Sequence, residues 1–278
     1  QVIVVDDGST DHTDKILAEF GDRVQTIKLG HSGISVARNA GIDASTGDYI
    51  AFLDSDDLWH PEKIEKHINF VTAHPEMVLT YTDAVQFTQN GPEKKSFVEN
   101  FPALNHPDDL FTTMITKFAI PLTSAAIVKT SFLKVTGLRF PAQIGIGEDL
   151  GLFLQILIAD GKFGYLPEKL TMRRMHESNI SSNHCRRFEQ RRRLYNDMLR
   201  DFSNRCTAEQ KASLKFGLRD AHYRVGECFW EELNLSQARS EFSHAIAPNA
   251  RGMRALAYAI ATLLPTSFIE SIRNLKRP

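Results

Sequence analysis

Asp54, Ser55, Asp56 and Asp57 follow the apolar run Tyr49-Ile50-Ala51-Phe52-Leu53 and precede Pro61, a good first residue for a helix. Three carboxylates where a buried strand meets a loop can hold a divalent cation. Hard oxygen donors suit Mg2+ or Mn2+, and such ions bridge a protein carboxylate to a substrate phosphate. In open α/β sheets ligands gather at the carboxyl ends of strands, where this turn falls. The plainer role is also open: Asp56 or Asp57 can simply cap the turn before the helix.

Other residues offer similar choices. Asp6-Asp7 end the β-branched run Val2-Ile3-Val4-Val5, Gly8 permits a tight turn, and Ser9 or Thr10 is placed to cap a helix carrying Ile16, Leu17 and Phe20. The two carboxylates can accept hydrogen bonds from a base or ribose, cap the turn, or both. Arg38 lies in a helix expected over 34–44 and offers either a guanidinium fork for phosphate or base, or a solvated helix face. Glu148 and Asp149 head an apolar helix carrying Leu150, Leu152, Phe153, Ile156 and Leu157. They suit the positive end of that helix, or present a general base to a cleft. His176, in a polar loop, is a metal or diphosphate ligand, or a surface imidazole.

The elements that must position these groups are strands expected at 2–5, 24–29 and 49–53, alternating with helices. That alternation marks a mostly parallel sheet covered by helices. No dinucleotide fingerprint and no phosphate-cradling Gly-rich loop with Lys-Ser/Thr is present, so phosphate would fall to metal and side chains. The helix from Pro61 is expected to turn Ile64, Ile68 and Val71 to the core. Beyond it come a strand over 77–87, a polar surface loop over 89–105, a short helix over 107–117, a strand over 124–129, and two short strands around Pro167.

With 42% hydrophobic residues in 278, a sizeable core can form, and a net charge of -1 argues against a general nucleic-acid binder. Cys185, Cys206 and Cys228 lack metal-ligand spacing and suggest reduced thiols in a cytosolic setting. No apolar run reaches membrane-spanning length. From Cys185 onward the pattern is helical. Arg186, Arg187, Arg191, Arg192 and Arg193 form either a solvated helix face or a binder of acidic surfaces. Residues 221–248 resemble one tetratricopeptide-type helix pair through Tyr223, Gly226, Phe229, Ala238, Phe242 and Pro248, a unit expected to pack on a neighbouring helix. The apolar stretch 255–264 is a buried tail helix or lies on a membrane surface.

The order of these motifs resembles the family 2 glycosyltransferases and their GT-A nucleotide-sugar fold. The pieces that carry the resemblance are VIVVDDGSTD (2–11), SVARNAGIDASTGDYIAFLDSDDLWHPEKI (35–64), GEDLGLFLQI (147–156) and RRMHESNIS (173–181). It implies that Asp7, with Asp6 beside it, contacts the base, that Arg38 lies near the nucleotide, and that Asp54 holds the ribose or sugar. It implies that Asp56 binds Mg2+ or Mn2+ on the diphosphate, aided by His176. Asp149 is then the catalytic base, with Glu148 beside it. Transfer would run by direct displacement with inversion, from a nucleotide-sugar (UDP-sugar) donor to a glycan or lipid-linked acceptor. The implied setting is cell-surface polysaccharide assembly in the cytoplasm; the apolar stretch 255–264 leaves peripheral membrane contact through the C-terminal helices as an option.

The resemblance divides the chain into a GT-A-like domain at 1–182 and an all-α region at 183–278. The family's first strand, with its Pro-Thr-Tyr-Asn-like loop, is missing ahead of Gln1, so an N-terminally incomplete domain with weakened nucleotide contacts is expected. Two other classes stay open: a non-catalytic GT-A-like remnant acting through its helical tail as an interaction protein, and a nucleotidyltransferase on a similar sheet.

Overall fold

The computed structural model describes residues 1–89, 91–105, 109–176, 183–267 and 269, with the backbone alone at 93 and 94. The chain divides into two compact units, 1–179 and 180–278.

In the first unit, β1 (Ile3–Asp6) runs through α1 (Thr13–Phe20) into β2 (Gln25–Lys28), and the two strands pair in parallel. α2 (Ile34–Ala44) then leads to β3 (Tyr49–Ala51), β4 (Leu58–Trp59) and α3 (Lys63–Ala73). After these come β5 (Met77–Thr88), β6 (Gly91–Ser96), α4 (Phe97–Asn100), α5 (Leu110–Thr116), β7 (Ala126–Lys129), α6 (Thr130–Thr136), α7 (Glu148–Ile158) and β8 (Lys162–Arg174). The larger sheet has the order β3-β7-β5-β8-β4, with β6 on β5.

The sheet is mixed where a mostly parallel one was expected. β5 and β8 pair in parallel; β3–β7, β5–β7, β4–β8 and β5–β6 are antiparallel. The strand–helix alternation holds only as far as β3. β7 then arrives from the 3-10 turn Thr123–Ala125 and slots between β3 and β5, burying Ile127 and Val128.

Several local expectations change with the tertiary context. Ile3 to Val5 are half-buried, and no described residue of α1 is buried. Ser9 and Thr10 do not cap α1; Asp11 accepts the Thr13 N–H instead, at 2.9 Å. Within the segment expected as a polar surface loop, residues 91–105 are structured. A Ser96/Glu99 capping box starts α4, Asp83 Oδ1 accepts the Val98 N–H at 3.0 Å, and the Tyr81 hydroxyl donates to the Leu104 carbonyl at 2.6 Å. β8 is one strand, not two. Its register on β5 shifts between Thr82 and Asp83, which lets Pro167, with no N–H for a ladder, fall outside the paired residues.

The buried stripe of α3 is Lys63, His67 and Val71, while Ile64 and Ile68 stay exposed. Polar residues win the inward face because each finds partners there. Lys63 Nζ lies 3.2 Å from His67 Nδ1, 3.5 Å from the Ala125 carbonyl and 4.8 Å from the Trp59 ring centroid. His67 Nε2 lies 2.8 Å from Thr80 Oγ1.

The second unit comprises α8 (His184–Asp201), α9 (Ala208–Glu231), α10 (Leu235–Ala245) and α11 (Ala250–Ala261). Cys185 and Cys228 form a disulfide between α8 and α9, contrary to the reduced thiols expected; Cys206 is free and buried. Their 43-residue separation hid a pairing that helix packing creates. The arginine cluster disperses: Arg191 is buried, Arg192 pairs with Glu241, and Arg186 and Arg193 are exposed. α9 and α10 meet at Gly226, where a Cβ would stand 2.8 Å from the Phe242 ring. Tyr223, Ala238, Phe242, Ala245 and Ala255 form one cluster, so α11 packs on the pair. Ala255 is buried whereas Ile260 and Leu263 are 58% and 65% exposed, so the tail is buried on one face only. No described helix is long and apolar enough to cross a membrane.

Burial lowers the Lys63 amine to about 7; burial, and then the Lys63 charge, lowers His67 to about 3. An unfolded lysine titrates near about 10.4, so between about pH 7 and about pH 10 the unfolded chain binds more protons and stability must rise with pH. His67 adds the same sign between about pH 3 and about pH 6.5. The urea midpoint of the wild type should therefore climb from about pH 7 to about pH 10, and Lys63→Met should flatten that climb. A wild-type midpoint that stays level across this window would contradict the burial of a neutral Lys63.

Candidate active site

The site begins where β1 and β2 end. The Asp6 carbonyl accepts the Leu29 N–H at 2.8 Å, and its buried carboxylate accepts the Ser9 N–H at 2.9 Å. The Ser9 hydroxyl and N–H hold Asp6 below the usual carboxylate range. Asp7 reaches the next turn: Oδ1 accepts the Ser32 N–H at 2.6 Å and Oδ2 accepts the Gly33 N–H at 2.7 Å. One carboxylate thus fixes the entrance to α2. Gly8, at φ 87°, would place a Cβ 3.1 Å from the His31 ring, so the two strand-end turns can approach only with glycine there.

α2 turns Ser35, Arg38, Asn39 and Ile42 to one face, at the i, i+3, i+4, i+7 spacing of a helical stripe. Ser35 Oγ donates to the Ile144 carbonyl at 2.9 Å. The Asn39 side chain makes a two-way clamp on Phe140, donating to its carbonyl at 2.8 Å and accepting its N–H at 2.9 Å. Arg38 Nη1 donates to Glu148 Oε1 at 2.6 Å and Nη2 to Asp54 Oδ1 at 2.5 Å, with the guanidinium carbon 5.3 Å from the Phe140 ring centroid. Its side chain is 11% exposed, which rules out the solvated-face reading. Burial alone would work against its charge, but the Asp54 and Glu148 carboxylates outweigh that and raise its pKa.

The acidic turn is held from three sides. The Asp57 N–H closes it on the Asp54 carbonyl at 3.0 Å. The Ser124 hydroxyl accepts the Asp54 N–H at 3.1 Å, and the Ser124 carbonyl accepts Trp59 Nε1–H at 2.7 Å. From β8, the Arg174 N–H donates to Asp57 Oδ1 at 2.9 Å and Arg174 Nε to the Asp56 carbonyl at 3.0 Å. Asp57 is buried, and burial raises its pKa, so it serves the turn. Asp54 and Asp56 remain half-buried. Asp56 Oδ2 lies 3.0 Å from His176 Nε2, which joins the second and fourth sequence motifs. Residues 177–181 of that fourth motif lie outside the described residues.

Glu148 and Asp149 occupy the first turn of α7. Burial first and the Asp149 charge second push Glu148 up to about 7, against the pull of Arg38. Asp149 is half-buried, and its Oδ1 accepts the Leu150 N–H at 2.7 Å. The acidic turn and the head of α7 therefore adjoin across one guanidinium. The Asp56 carboxylate would give Mg2+ or Mn2+ a hard oxygen ligand, and the His176 nitrogen beside it would suit Mn2+ better than Mg2+. Ser35, Asn39, Ser124, Phe140 and Arg174 were not singled out for the site from sequence. The stripe spacing of Ser35 and Asn39 with Arg38 carried a signal, and Arg174 lies within the motif at 173–181; Ser124 had none locally.

Arg38→Ala should cost about 1–3 kcal/mol at about pH 8: it leaves the buried Glu148 carboxyl without its partner, and with the pull of Arg38 gone Glu148 rises further and takes up a proton. The half-exposed Asp54 arm adds little to that figure. Arg38→Lys should rescue only in part, since an ammonium is a point charge and not a fork. Urea unfolding of each variant measures this; an Arg38→Ala change within about 0.5 kcal/mol of wild type would mean that the bridge does not form in solution.

Residues 1–133 match the family described as Glycosyl transferase family 2. The TuaG protein of Bacillus subtilis (strain 168), named for teichuronic acid biosynthesis, is 29% identical over 187 residues, covering 66% of this chain and 70% of its own. The succinoglycan biosynthesis protein ExoO of Rhizobium meliloti is 31% identical over 189 residues, 65% of this chain and 54% of its own. A Rickettsia felis glycosyltransferase is matched over only 25% of its length. Among solved structures, S. aureus TarS 1-349 in complex with UDP-GlcNAc gives a TM-score of 0.62 at 17% identity, over 99% of this chain and 82% of that one. The mannosyltransferase PcManGT from Pyrobaculum calidifontis, in complex with GDP-Man and Mn2+, gives 0.54 at 16% identity, over 99% and 78%. At these identities the structural likeness shows the fold alone. Residues 1–133 match the Glycosyl transferase family 2 model, on a chain whose fold is GT-A-like.

Proposed function

We propose that this protein transfers a sugar from a nucleotide-sugar donor, of UDP type, to an acceptor hydroxyl with inversion, in the assembly of a cell-surface polysaccharide. The observation that carries the reading is the Arg38 bridge. It draws the turn suited to a donor diphosphate and the acid-headed helix suited to an acceptor onto one guanidinium. The names of TuaG and ExoO support the polysaccharide setting, and the UDP-GlcNAc bound to TarS supports the donor class.

In this reading Asp149 takes the proton of the acceptor hydroxyl as its oxygen attacks the anomeric carbon from the face opposite the diphosphate. Glu148 anchors Arg38, and Asp54 faces the ribose or sugar. Asp56 and His176 hold Mg2+ or Mn2+. When bound, such an ion offsets the charge that grows on the departing diphosphate. Asp6 and Asp7 build the base end of the site. Asp7 already accepts two backbone N–H groups, and a carboxylate has further lone pairs for a base. The acceptor is a glycan or lipid-linked saccharide. The setting is the cytoplasmic side of a membrane, with the exposed Met253, Ile260 and Leu263 of the C-terminal helical region as the peripheral contact.

In the intact protein, Asp149→Asn should slow release of nucleoside diphosphate by about 10²–10⁴-fold while donor affinity holds. Asp56→Ala should weaken Mn2+-dependent donor binding in calorimetry. A panel of nucleotide-sugars screened for diphosphate release identifies the donor, and unaltered turnover in either variant removes the role assigned to that residue.

A further inference from the structure

The helical unit holds a cluster that sugar transfer does not use. His184 and Cys185 open α8, and Cys228 lies in the last turn of α9. One ligand atom from each lies within 4.8 Å of the other two. Cys185 and Cys228 are joined as a disulfide, with Cα atoms 6.0 Å apart. An imidazole and two thiolates form a donor set for Zn2+, which takes sulfur and nitrogen ligands and tolerates an open fourth position. With Zn–S near about 2.3 Å, tetrahedral geometry sets the two sulfurs about 3.8 Å apart. Side-chain rotation about χ1 can open the pair that far without moving α8 or α9.

One further feature bears on the thiolate form. Cys185 sits in the first turn of an 18-residue helix, whose positive end stabilises a thiolate. His184 is exposed, so an ion can enter from solvent.

We propose that His184, Cys185 and Cys228 form a redox-gated site for Zn2+ or a similar thiophilic divalent ion, closed in the disulfide state and open in the dithiol state. A dithiol reductant cleaves the S–S bond. Two electrons and two protons pass to the two sulfurs, and the reductant leaves as its own disulfide. On binding, each thiol releases its proton and gives a lone pair to the ion, while neutral His184 gives a ring nitrogen. The sulfur ligands separate this site from the oxygen-rich turn at Asp56, and the inference does not depend on the proposed transferase activity.

The test is a Co2+ titration of the whole protein, oxidised and then reduced by a dithiol that is removed before metal is added. It is followed by thiolate-to-cobalt charge-transfer absorption, which carboxylate ligands do not give. The reduced protein should take up one Co2+ per chain with that band, the oxidised protein should show no such band, and Zn2+ should abolish it. His184→Ala should weaken binding at least about tenfold, and Cys206→Ser should leave it unchanged. Absence of the band in the reduced wild type would overturn the proposal, as would His184→Ala binding as tightly as wild type.

Discussion

The first unit depends on how a nearly buried guanidinium keeps its charge. Arg38 is out of water, and a cation so placed is tolerated only when its donors are matched. Asp54 and Glu148 supply the match from segments 16 and 110 residues away. The planar fork sends one donor to each, which a lysine ammonium could not do with the same rigidity. Such a pairing contributes more to geometric specificity than to net stability, since desolvation consumes much of the Coulomb gain. Its value here is positional: three segments distant in the chain share one register.

The neighbouring contacts follow from that requirement. A fork must be aimed, so α2 is pinned at both ends of its inward face. Asp7 holds the N-terminal turn through Ser32 and Gly33, while Ser35 and Asn39 grip the segment between Phe140 and Ile144. These are backbone-directed bonds, and they fix a helix more rigidly than side-chain pairs on flexible stems would. The acidic turn receives the same treatment from Ser124 and Arg174. Carboxylates preorganised in this way lose little entropy when a charged substrate arrives.

Much of this was legible in the chain. The strand-to-turn pattern at Leu53, the acids heading α7 and the bounds of α2 follow from local chemistry and period. What escaped was decided by partners distant in sequence. Arg38 alone resembles any helical arginine; only Asp54 and Glu148 make it an interior residue. Ile64 and Ile68 looked like core and lost the inward face of α3 to Lys63 and His67, because Thr80, Trp59 and Ala125 offered partners that hydropathy does not record. The Cys185–Cys228 pair was hidden for a similar reason: its 43-residue spacing means nothing until α8 lies against α9. The segment 89–105 looked like a loop by composition, but Phe97, Val98 and Leu104 are buried beside Asp83 and Tyr81.

Lys63 and His67 also explain why the acidic turn can be rigid without a large apolar anchor. Trp59, at the end of that turn, is fixed by its indole N–H on Ser124 and by the Lys63 amine near its ring. Lys63 in turn rests on His67, and His67 on Thr80 of β5, so the turn is tied to the central sheet through polar contacts. A leucine at either position would fill space but accept many rotamers. A polar chain is satisfied in one arrangement only, because each unpaired member would carry a desolvation cost. The cost of burying an amine thus serves the same end as the buried guanidinium: a single permitted placement for Asp54 and Asp56.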